Sequence, residues 1–69
     1  MLKIKNEDFK VNGHWFDYEL EDGTLLHQSE WNGEMYIVKQ DGVEISYHPV
    51  YAEEENCNGG YDIIGFNAL

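Results

Sequence analysis

The chain has no arginine and only four lysines against fourteen acidic residues. Lys3, Lys5 and Lys10 all precede Gly13, so from there onward Lys39 stands alone against twelve acids, the fourteen less Glu7 and Asp8. A net charge of −10 is repelled by phosphate backbones and anionic membranes, which argues against direct nucleic-acid or membrane-surface binding. Basic surfaces and cations are attracted instead. Cysteine is nearly absent too: Cys57 alone can form no internal disulfide and lacks the paired spacing of a metal knuckle, so it reads as an incidental loop thiol. No apolar run approaches the length of a membrane span and no apolar signal segment opens the chain, so the expectation is a reduced, cytoplasmic protein.

What is present is β-forming. Sixty-nine residues predict a single domain, 1–69, with a thin core and marginal stability. High charge with low hydrophobicity raises the question of disorder. Ten aromatic residues and regularly spaced turns answer it in favour of a fold.

The turns are Asn12-Gly13, Asp22-Gly23, Asn32-Gly33 and Asp41-Gly42, nine or ten residues apart. Each dipeptide suits the centre of a two-residue type I′ hairpin, which requires positive φ at both positions. The runs between them predict strands at Met1–Val11 (bent or bulged near Asn6), His14–Glu21, Thr24–Trp31, Glu34–Gln40 and Val43–Tyr51. Pro49 lacks a donor and should lie where strand five is at an edge or has left the ladder. Ala52–Gly60 reads as a turn-rich connection with room for a short helical turn. Tyr61–Phe66 reads as a final strand or a segment packed over the core. The fold class is all-β: a small antiparallel up-and-down meander of five to six strands, forming a curved sheet or partly open barrel.

Two-residue turns also predict register, and opposed residues share a face. One face then collects Phe9, Val11, Phe16, Tyr18, Leu20, Leu25, Trp31, Tyr36, Val38, Val43, Ile45 and Tyr47. This is the expected core. The other face holds Asp8, Asp17, Glu19, Glu21, Glu30 and Glu44, with Trp15, Leu26, Met35 and Ile37 among them. Apolar anchors in a charged surround are how protein interfaces are commonly built. Cover by the C-terminal segment, through Ile63, Ile64 or Phe66, is the other account of that face.

Chemistry is sparse by comparison. His14 and His27 fall on the apolar face and His48 on the other, so they do not converge on a metal, and His27 is expected as a hydrogen-bonded core histidine. No calcium-loop pattern, nucleophile elbow or phosphate loop is present, and no cofactor is implied. Paired carboxylates need a concave, partly apolar site to work as acid and base, which a small sheet offers poorly. The expectation is therefore no enzyme, no catalytic residue and no metal site.

The function expected is a non-catalytic acidic binding protein that engages a basic partner protein, itself nucleic-acid-binding. Asp8, Trp15, Asp17, Glu19, Glu21, Glu30, Met35 and Glu44 are the partner-binding candidates. Carboxylates on adjacent strands, roughly 5 Å apart across and 7 Å along, can stand in for backbone phosphates. In size and charge, though in no motif, the chain is similar to phage-encoded inhibitors of CRISPR and restriction systems. The alternative is a structural or accessory β-domain that self-associates, or packs on a partner, through the face carrying Trp15.

Overall fold

The computed structural model describes residues 1–69, and its six antiparallel strands form one sheet. They are β1 (Leu2–Val11), β2 (His14–Leu20), β3 (Leu25–Leu26), β4 (Tyr36–Gln40), β5 (Val43–Tyr51) and β6 (Ile63–Ala68), with a 3-10 helix at Gln28–Glu30. The order across the sheet is β3-β2-β1-β6-β5-β4. Each strand thus lies beside its neighbours in sequence except β3 and β4, which form the two edges, and β6 returns beside β1. The ring is open only between β3 and β4, and an isolated bridge from Trp31, just after the 3-10 helix, to Tyr36 leads the chain into β4. This is the all-β meander that the turn spacing predicts, curled into a nearly closed barrel.

Two of the four turns form as expected. Asn12 and Gly13 have φ of 49° and 83°, Asp41 and Gly42 of 51° and 79°. Their registers follow: Val11 opposes His14, Phe9 opposes Phe16, Val38 opposes Ile45 and Tyr36 opposes Tyr47. The bulge expected near Asn6 lies between Ile4 and Asn6.

The other two turns differ because their Asx side chains cap backbone amides instead. At Asp22-Gly23 the Thr24 amide donates to Asp22 Oδ1 at 3.0 Å, and Gly23 N donates to the Leu20 carbonyl at 2.9 Å. The loop therefore has three residues, Glu21 to Gly23, with Gly23 alone at positive φ, 90°. Leu26 now opposes Tyr18, one residue away from the expected His27. Leu26 is buried and Leu25 exposed, the reverse of the expectation. The third strand is also shorter than Thr24–Trp31, because His27 caps the 3-10 helix. Its Nδ1 accepts from Ser29 N at 3.0 Å, and the Glu30 carboxylate accepts from His27 N at 3.0 Å. At Asn32-Gly33, Asn32 Oδ1 accepts from the Glu34 and Met35 amides at 2.9 and 3.0 Å, so β4 starts at Tyr36 and not at Glu34.

Leu20, Leu26, Tyr36, Val38, Tyr47 and Phe66 are the buried apolar residues, with Leu2, Ile4, Tyr18, Trp31, Ile45 and Ile63 packed half-buried around them. Phe66 is wholly buried, and its ring meets those of Tyr18 and Tyr36 edge-on at 5.1 and 5.8 Å between centroids. The C-terminal segment is therefore a strand that completes the core. Val11 and Val43, expected in the core, are exposed beside the two type I′ turns, past the reach of the barrel. His14, expected on the apolar face, is exposed for the same reason. Pro49 opposes Phe66 beyond the last β4 pairing at Tyr47, where β5 has a neighbour on one side only. No helical turn forms in 52–60. Asn56 orders that loop instead, accepting from Asn58 N and Gly60 N and donating to Asp62.

Candidate partner-binding surface

The β1–β2 hairpin outruns the rest of the sheet. The β1–β6 ladder holds only at Leu2 and Lys3, and the β2–β3 ladder only at Tyr18 and Glu19. The pairs Phe9–Phe16, Lys10–Trp15 and Val11–His14 consequently project as a two-stranded arm from a molecule 39 Å in its longest dimension. Alternation places Phe9, Val11, His14 and Phe16 on one face of the arm and Lys10 and Trp15 on the other. Phe9 stacks on Phe16 at 5.6 Å, and the edge of His27 meets Phe16 at 5.6 Å. Trp15 is 59% exposed, with Lys10 Nζ 5.4 Å from its ring centroid. Such a contact contributes about 0.5–1 kcal/mol at an exposed site.

The eight candidate residues divide by what they already bind. Asp8 is exposed on the arm with φ of 46°, and Glu44 is exposed opposite Lys39. Asp17 stands where the β2–β3 ladder has ended, and its half-buried carboxylate accepts the hydroxyl proton of Tyr36. Glu19 accepts from the Asn6 amide and lies 3.8 Å from Lys5 Nζ. Glu21 accepts from the Lys3 backbone amide at 2.8 Å, and Glu30 caps the 3-10 helix. Met35 is half-buried at the foot of β4. The β1–β2 hairpin brings Asp8, Trp15, Asp17 and Glu19 onto one element. Glu30 and Met35 lie at the seam, Glu21 at the far end of β2 and Glu44 on the β4–β5 hairpin.

The two tyrosines record the local potential. Burial, and then the hydrogen bond and charge of Asp17, push the Tyr36 phenol well above its ordinary range. Burial, and then the charges of Glu7, Asp8 and Asp17, push Tyr18 up as well. Negative charge thus gathers at the base of the arm. No cleft or cavity opens in the barrel, and no group of three His, Cys, Asp or Glu side chains converges.

Sequence reasoning overlooked two features of this surface. The Lys10–Trp15 contact was readable, since the Asn12-Gly13 register sets those residues opposite each other. The Tyr36–Asp17 bond was not, because it crosses between strands that share no ladder. Comparison with known proteins gives no match: no family model fits the chain, and no curated protein or solved structure is similar to it.

Proposed function

We propose that this protein is a non-catalytic binding protein whose acidic surface engages a basic surface of a partner protein. In its most concrete form the partner binds nucleic acid, and the carboxylates occupy its phosphate sites, as in a mimic of the anti-CRISPR or anti-restriction kind. One observation carries the reading: fourteen acids share a single ion pair, Lys5–Glu19. Asp8, Glu34, Asp41, Glu44, Glu53 and Glu54 are exposed, and their carboxylates accept no hydrogen bond inside the chain. So much uncompensated charge disfavours the compact state and supplies a strong field for a basic partner.

The test is competition. The protein is titrated against purified nucleic-acid-binding proteins at 0.1 M and 0.5 M salt, where the Debye length falls from about 10 Å to about 4 Å. Affinity should drop at least roughly tenfold, and the partner's own nucleic acid should displace the protein. Binding that ignores both salt and nucleic acid would reject the reading. The exposure of Trp15 favours a second one, self-association or accessory packing through an apolar contact. That association would hold or tighten as salt rises.

A further inference from the structure

We infer, resting on the reading above, that the β1–β2 arm is the part that enters the partner, and that it enters a basic cleft of the kind that holds single-stranded nucleic acid. Both faces of the arm carry apolar side chains, exposed Val11 with half-buried Phe9 and Phe16 on one and exposed Trp15 beneath Lys10 on the other. An arm laid flat on a surface would leave one of those faces in water, whereas insertion covers both. A two-stranded ribbon is also marginal on its own, so walls on either side would steady it. Glu7 and Asp8 lie on β1 at its base, exposed, where the lip of such a cleft would meet them.

That arrangement matches one class of site in particular. Grooves for single-stranded nucleic acid combine basic walls with aromatic platforms on which bases stack. Trp15 and the Phe9–Phe16 stack would take the place of bases, and the carboxylates of Glu7 and Asp8 at the base of the arm the place of phosphates. Lys10 now covers the Trp15 ring and would be displaced by a platform of the partner. A second copy of this chain fits poorly as occupant, since it carries the same charge of −10 and offers no cleft.

The probe is a panel of purified single-stranded-DNA-binding proteins, each loaded with a fluorescent oligothymidylate, and the readout is its release. The wild type should release the oligonucleotide and its Trp15 emission should shift. Trp15→Ala and Val11→Ser alter exposed positions outside the core, and an unchanged melting temperature checks that they fold. Each should release the oligonucleotide at least roughly tenfold less well, mainly through faster dissociation. Glu53→Gln/Glu54→Gln, in the 52–60 loop, should lose no more than about threefold. Amides of Lys10–Phe16 should gain protection from hydrogen exchange in the complex.

Three results would overturn the inference. If both arm variants match the wild type while the loop variant fails, the acidic reading stands and the arm is not its site. If only duplex-DNA-binding proteins are displaced, the class of cleft is wrong. If sedimentation shows a dimer that Trp15→Ala dissolves, the occupant is a second copy.

Discussion

The Tyr36 hydroxyl donates a hydrogen bond to the Asp17 carboxylate, tying the first residue of β4 to β2 across the open side of the barrel. The bond crosses a seam where the sheet has no ladder between β3 and β4. A negative group is thereby held beside a nearly buried phenol, with consequences for stability at high pH.

Deprotonating Tyr36 would set an anion against Asp17 inside the core, so its folded pKa is raised from the ordinary value of 10.0. Above pH 10 the unfolded chain releases this proton and the folded chain keeps it. Stability is therefore fully present below pH 10 and falls as pH rises beyond it, by up to about 1.4 kcal/mol per pH unit for this group. Tyr18, raised in the same direction, adds to the slope. Absorbance at 295 nm should show Tyr36 ionising together with unfolding and not before it. Tyr36→Phe should flatten the alkaline slope while lowering neutral-pH stability by about 1–2 kcal/mol through loss of the bond. An early, independent titration of all five tyrosines would contradict this.

Leu25 and Leu26 separate the two possible registers of β3. Leu26 is fully buried and Leu25 lies at the surface. Leu26→Ala should cost about 2–5 kcal/mol, and Leu25→Ala no more than about 0.5 kcal/mol. Urea denaturation of the two variants gives the comparison directly. Equal effects, or a larger one at Leu25, would restore the two-residue turn.

These leucines also explain how far the fold was legible in the sequence. An Asx-Gly pair serves equally a type I′ turn or a longer loop in which the Asx side chain caps the backbone. Asn12 and Asp41 take the first course, Asp22 and Asn32 the second. Checking register by hydrophobicity could not expose the slip at Asp22, because adjacent leucines bury one apolar side chain either way. Phe66 was hidden for another reason. Its strand pairs with β1 and β5 after a turn-rich segment, so no short hairpin carries register to it. Trp15 was placed on an exposed face because a tight turn fixes its own hairpin, whereas Asp17 owes its partner to curvature that no local pattern encodes.

Gly65 marks where the barrel closes. A Cβ placed there would lie 2.6 Å from the Leu2 carbonyl oxygen and 2.6 Å from Met1 Sδ. The methionine can swing away, but the carbonyl belongs to the β1–β6 ladder and cannot. Gly65→Ala should cost about 1–3 kcal/mol, and adding Met1→Ala should not rescue it. Gly13→Ala makes the contrast: open space surrounds that position, and its strain comes from φ of 83° alone, about 1–2 kcal/mol. Thermal melts of the three variants test this, and a rescue by Met1→Ala would show that side-chain crowding was the whole cost.

Charge should set the ionic-strength dependence of folding. At 0.01 M salt the Debye length is about 30 Å, comparable to the molecule's 39 × 28 × 21 Å extents, so the exposed carboxylates repel one another across the whole body. Near 0.5 M the length is about 4 Å and that repulsion is confined to neighbours. Sodium chloride should therefore raise the melting temperature, by about 4–8 °C if screening recovers about 1 kcal/mol in a domain of this size. Glu53→Gln/Glu54→Gln/Glu55→Gln removes three adjacent exposed charges. It should raise the melting temperature at low salt and shrink the increment that salt provides. A melting temperature that falls with salt would mean the four lysines already balance the field locally. The same measurement bears on the proposed partner. A basic surface relieves the repulsion that salt relieves, so the stabilisation it confers should be greatest at low salt and fade as screening replaces it.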